Sequence, residues 1–221
     1  MDSARRQGDI ALRTAIFSGP LFLVALVLFG ALTPGFSHAH KAVSQLGALG
    51  TPWGPWFNVF GFLLPGLLAA AAAWEFRRRL RQVDEAVWLE RISATGLWVS
   101  MLMMALSAVP ADFTLMFKSP WTSAHAFFVL GSAPLLFSVI HGCAHGLAKL
   151  GVSKRLVRTF TILGYLPIGE FFLYGVMRST PGLVQRLMII TVHLAIASLC
   201  WALLRSPIAA KMPLRPREVV R

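Results

Sequence analysis

The sequence predicts an all-α polytopic membrane protein: a six-transmembrane-helix bundle with both termini in the cytoplasm. Three observations carry this. Hydrophobic residues make up 56% of the 221 positions and charged residues 14%, where a soluble chain carries about a quarter charged. Six apolar stretches approach the roughly 20 residues needed to cross a bilayer. The basic residues gather in alternate gaps between those stretches.

The first stretch, 14–34, follows Arg5, Arg6 and Arg13. It exceeds the roughly 7–15 residues of a signal-peptide core and ends on a poor cleavage site, Ser37-His38-Ala39, so it reads as an uncleaved helix. The second spans 56–74 and contains the alanine run Ala69–Ala73. The third covers 94–111, the fourth 123–147, the fifth 159–177 and the sixth 187–204. All six fall in one domain, 1–221. Strands are excluded because the runs are too long and lack the alternation of a membrane barrel. Pro20, Pro65, Pro134 and Pro167 predict local kinks, since each removes a backbone donor.

A formal charge of +12 raises the possibility of a nucleic-acid partner, but its distribution removes the need for one. The N-terminal segment, the second gap, the fourth gap and the tail hold three, five, four and five basic residues. The other gaps hold only Lys41, Lys118, Arg178 and Arg186. Seventeen against four is the positive-inside pattern and puts both ends in the cytoplasm. Trp53, Trp56 and Trp121 then fall at the outer interface, and Trp74, Trp98 and Trp201 at the inner one. Leu80, Val87 and Trp88 predict a short helix lying on the inner surface.

Ionisable side chains at membrane depth are costly and become functional candidates. Glu170 and His193 each fall about 10 Å below the outer surface, on consecutive helices that allow them to meet. Asp112 closes the outer end of the third helix, and His125 opens the fourth. Ser44, His38 and His40 occupy the first outer loop. Asp112, His125, Glu170, His193 and Ser44 are therefore the candidate catalytic set. Imidazole and carboxylate groups of this kind suit zinc, with His125, His193 and Asp112 as ligands activating a water. They equally suit proton transfer by a buried carboxylate working with histidine. The bland alternative is structural: Glu170 hydrogen-bonds within the bundle, and Asp112 caps a helix or binds a loop amide.

His141 and His145 share one face of the fourth helix at the spacing of a metal pair. They fall near the inner interface, away from the other candidates. Cys143 and Cys200 lie in apolar stretches and read as small buried hydrophobes. There is no nucleotide-binding loop and no nucleophile elbow.

Three short patterns carry a family resemblance. They are Ser44-Gln-Leu-Gly-Ala-Leu-Gly-Thr-Pro52 followed by Trp-Phe-Asn58, Pro110-Ala-Asp112 followed by Ser123-Ala-His125, and Gly182-Leu-Val-Gln-Arg186. Together the chain resembles domain-of-unknown-function family 998, uncharacterised six-helix membrane proteins of bacteria and archaea. The resemblance implies a prokaryotic plasma membrane, marks Ser44, Asp112, His125 and Arg186, and implies no activity. In residue types alone the outer set is similar to the alkaline ceramidase superfamily of zinc hydrolases. It departs from that family in helix count and in the side on which His141 and His145 lie. Three functions remain open: an outward site binding or hydrolysing a lipid or amphiphile with a metal, a noncatalytic membrane-assembly protein, and a small proton-coupled transporter using Glu170.

Overall fold

The computed structural model describes residues 3–115, 118–176 and 180–206. Met177, Arg178 and the tail residues Lys211, Arg215, Arg217 and Arg221, which enter the sequence expectations above, lie outside them. The described chain is an all-helical bundle. Its long elements are α1 (Ser3–Ala15), α2 (Ser18–Leu32), α4 (Leu64–Leu80), α5 (Trp88–Leu106), α6 (Pro120–Lys149), α7 (Lys154–Val176) and α8 (Pro181–Leu204). A one-turn helix α3 (Gly54–Phe57) and a π segment (Asn58–Leu63) lead directly into α4. Joined in this way, Gly54–Leu80 forms one rod of 27 residues, while α1 and α2 follow one another, with a short turn between, along the 28-residue span Arg5–Leu32. These two, with α5, α6 and α8, are long and apolar enough to cross a membrane. The 23-residue α7 packs beside α8 as the sixth rod.

Two prolines explain two interruptions that hydropathy does not show. Pro20 has no amide to offer the Ile16 carbonyl and its ring crowds that carbonyl. The helix breaks there, with α1 ending at Ala15 and α2 starting at Ser18. Pro65 does the same to Gly61, and the chain responds by widening into the π segment, with the Leu64 amide reaching back to the Val59 carbonyl. Pro110 forbids further helix beyond α5, which ends at Leu106 instead of reaching residue 111. At its other end α5 starts at Trp88. The surface helix expected around Leu80, Val87 and Trp88 is replaced by the end of one rod and the start of the next. Leu80 is buried in the core, while Val87 and Trp88 are exposed.

Lipid tails are as apolar as leucine, so packing rather than hydrophobic transfer must hold such helices together. Small residues make that packing close. Ala69, Ala70, Ala72 and Ala73 of α4 are buried, and a Cβ on Gly66 would lie 2.5 Å from the Ala105 backbone of α5. Near the middle of the bundle, a Cβ on Gly164 of α7 would lie 2.6 Å from Ile140 of α6. Large side chains such as Val24, Phe127, Leu130 and Phe172 point outward, as lipid-facing positions do.

One end of the bundle is basic. Arg79 of α4 donates through Nε to Glu75 (2.6 Å), through Nη2 to Asp9 of α1 (2.7 Å), and through Nη1 to the Leu203 carbonyl of α8 (2.8 Å). Arg78 pairs with the other oxygen of Glu75 at 2.6 Å. Nearby, Lys149 donates to the Glu85 carbonyl and Ser206 to the Leu150 carbonyl. The start of α1, the α4–α5 and α6–α7 connections and the end of α8 therefore share this end. Lys41, Lys118 and Arg186 lie at the other one.

The side chains of Arg79 and Glu75 are only 7% and 4% exposed. Removing one charge leaves its buried partners uncompensated, which typically costs about 3–5 kcal/mol. Arg79→Met should therefore lower the thermal midpoint of the detergent-solubilised protein strongly, while the exposed Arg155→Met should leave it unchanged.

Candidate functional site

At the end opposite the basic cluster, three side chains hold the first loop against the bundle. Asn58, buried in the π segment, donates from Nδ2 to the Gly47 carbonyl at 2.8 Å. Gln185 of α8 accepts from the Val43 amide at 2.7 Å. Arg186 donates through Nη1 to the carbonyls of Lys41 (2.9 Å) and Gly182 (2.5 Å). Its Nε faces His38 Nδ1 at 3.3 Å, and Phe36 stacks over the guanidinium at 5.4 Å. The short 3-10 turn between these ties, Val43–Gly47, carries Ser44 inward.

Below this turn lies a cavity of about 150 Å³. Ser44, Gln185, His125 and His193 supply its polar positions, with the serines Ser100, Ser107 and Ser132. The rest is apolar, including Phe62, Met101, Met104, Val129, Ala133 and Ile189. Local backbone features shape it. The π segment contributes Gly61 and Phe62, and Pro65 and Pro167 line it from α4 and α7. The serine hydroxyls are turned to carbonyls: Ser100 donates to Ser132, Ser107 to Met104 and Ser132 to Val129. A helix that satisfies its hydroxyls in this way can present them in an apolar wall at little cost.

The five candidates from the sequence divide. Ser44, His125 and His193 line the cavity; Asp112 and Glu170 do not. His125 is held through Nδ1 by the Val109 carbonyl at 2.9 Å and meets Phe62 edge-on. His193 meets Ser18 of α2 at 3.2 Å and the Phe22 ring. Glu170 accepts instead from Thr191 at 3.0 Å. Thr191 and His193 are two positions apart and point about 200° apart around α8, so the helix that brings Thr191 to Glu170 turns His193 toward α2. The expected Glu170–His193 pair does not form.

Asp112 lies in the loop after α5 and not at that helix's end. Its Oδ1 accepts from the Thr114 hydroxyl (2.6 Å) and from the Thr114 and Leu115 amides. Those bonds, the Thr114 hydroxyl foremost, hold its carboxyl below the ordinary value of 3.8. Thr122 stitches its backbone to the start of α6. It builds the turn that leads into His125. His141 and His145 contact each other, ring to ring at 4.5 Å, on an exposed face. Among the described residues, no group of three or more His, Cys, Asp or Glu is placed to hold a metal ion. The donor set for zinc is thus dispersed. Gln185, Ser100, Ser107 and Ser132 were not singled out from sequence, because neutral polar residues in apolar helices are common and only their convergence marks them.

Two outcomes follow from these contacts. Asn58→Ala leaves the Gly47 carbonyl without its partner and should cost about 1–3 kcal/mol in unfolding experiments. Burial, and then the neighbouring Arg186 charge, hold His38 below its ordinary value of 6.5. The folded protein thus resists protonating it while the unfolded chain does not. Stability should fall as pH drops from about 6.5 towards the lowered folded value, and His38→Gln should flatten that part of the pH–melting curve.

Comparison with known proteins returns one family model, described as a protein of unknown function (DUF998), over residues 16–202. No curated protein and no solved structure matches the chain. The matched span runs from the break after α1 almost to the end of α8, and includes every residue named in the cavity. An apolar helical bundle matched over most of its length by this model is a member of the DUF998 family of integral membrane proteins.

Proposed function

We propose that this protein binds an amphiphile in the half of the membrane away from its basic end, with a stretch of hydrocarbon chain inside the cavity. The observation that carries this is the cavity itself: mainly apolar walls interrupted by Ser44, His125, Gln185 and His193. A dry apolar cavity of about 150 Å³ holds a guest the size of benzene. The space therefore suits a short length of chain and not a whole lipid. The dispersal of Asp112, Glu170 and the histidines favours binding over metal-assisted hydrolysis.

The orientation is part of the same proposal. Positive-inside bias places the basic end in the cytoplasm and the cavity toward the outer leaflet of the plasma membrane. Both termini then face the cytoplasm.

Filling the cavity tests the binding. Ala133→Trp should abolish binding of a fluorescent fatty acid while the protein stays folded and monodisperse. Retained binding would remove the cavity from the account. Orientation is tested by thiol labelling in intact cells, because the native Cys143 and Cys200 are buried. Lys118→Cys should react with a membrane-impermeant maleimide, and Lys154→Cys only after permeabilisation. The reverse pattern would invert the topology.

A further inference from the structure

Hydrocarbon chains gain little by moving from a bilayer into an apolar cavity, since both surroundings are equally apolar. Selectivity must therefore come from a polar group beside the cavity, and Arg186 is placed to supply it. It is not itself part of the cavity wall, but it follows Gln185, which is, and it grips the loop that carries Ser44.

Its own bonding is incomplete. A guanidinium has five N–H donors. Nε is directed at His38, and Nη1 at the carbonyls of Lys41 and Gly182. Nη2 is buried with no partner. The residue is only 5% exposed, and among the described residues no carboxylate pairs with it. Arg79, at the other end, is comparably buried but is met by two carboxylates. A buried cation without a counter-ion is costly. All three of the bonds it does make are to neutral acceptors, and they fix the plane of the guanidinium without cancelling its charge. Thr180, at the start of α8, also has a buried hydroxyl with no partner. The first turn of a long helix adds a partial positive charge at the same place. An anion with oxygen acceptors would satisfy both the open donor and the charge.

We propose that Arg186 receives an oxyanion, a phosphate or carboxylate, which on the binding reading above is the headgroup of the amphiphile whose chain enters the cavity. The exposed Lys41, whose carbonyl Arg186 holds, adds positive charge to the approach. The chain would be read by shape and the headgroup by Nη2.

Dodecyl phosphate and inorganic phosphate, titrated separately into the purified full-length protein and read by thermal shift and calorimetry, test this. Wild-type protein should bind dodecyl phosphate, with at least tenfold loss in Arg186→Gln and at least threefold loss in Arg186→Lys, which keeps the charge but not the planar fork. Ala133→Trp should weaken dodecyl phosphate and leave the response to inorganic phosphate unchanged. If the two ligands bind wild type equally and Ala133→Trp alters neither, Arg186 is an oxyanion site for a soluble ion and the cavity reading fails alone. No response of wild type to either ligand would overturn the proposal. So would wild-type affinity in a folded Arg186→Gln protein. Should Arg186→Gln fail to fold, unchanged affinity in Arg186→Lys would overturn it equally.

Discussion

The bundle depends on a buried guanidinium at its basic end. Arg79 joins α1, α4 and α8 through Asp9, Glu75 and the Leu203 carbonyl, and no apolar contact reaches all three helices with the same directionality. In lipid, an unmet charge or carbonyl has no water to fall back on, so such a knot is satisfied as a unit or not at all. It places α8, and α8 places most of the rest. Along that one helix Thr191 faces Glu170, His193 faces Ser18, and Gln185 and Arg186 hold the first loop.

Against this fixed axis, imperfections in the other helices create space. Pro65 forces the π segment, which brings Gly61 and Phe62 to the cavity wall and turns Asn58 to the Gly47 carbonyl. The same proline thus opens the cavity and helps anchor the turn above it. Pro167 lines the cavity from α7, while Gly164, one turn nearer the basic end, lets α7 close onto Ile140. Close packing toward one end and a cavity toward the other come from where the glycines and prolines fall along the rods.

The polar groups sort by the partners available to them. Arg79 has carboxylates, Asp112 has loop amides and a hydroxyl, and His125 has a backbone carbonyl. Each of these is explained by the fold. Arg186 and Glu170, like Glu90 and Thr180, are different, since each retains a buried atom without a partner. Glu170 is tied to Thr191 within the α7–α8 pair, away from the cavity. Arg186 holds the loop whose Ser44 lines it.

Hydropathy and charge spacing alone marked out the six apolar rods and the end of the bundle shared by the start of α1 and the end of α8. These are legible because length and periodic apolarity follow directly from the bilayer's thickness and dielectric, residue by residue. The breaks at Ile16 and Asn58 were legible only as prolines; which one would snap a helix and which would widen it depended on neighbouring contacts. Convergence was decided by tertiary structure. Ser44, His125 and His193 line one cavity while Glu170 turns to Thr191, because rotation of one helix about its axis is set by packing against all its neighbours. A difference of two positions along α8 is small in sequence and about 200° in space. The family motifs named Arg186, but only the folded chain shows a buried cation whose counter-charge the described residues do not supply.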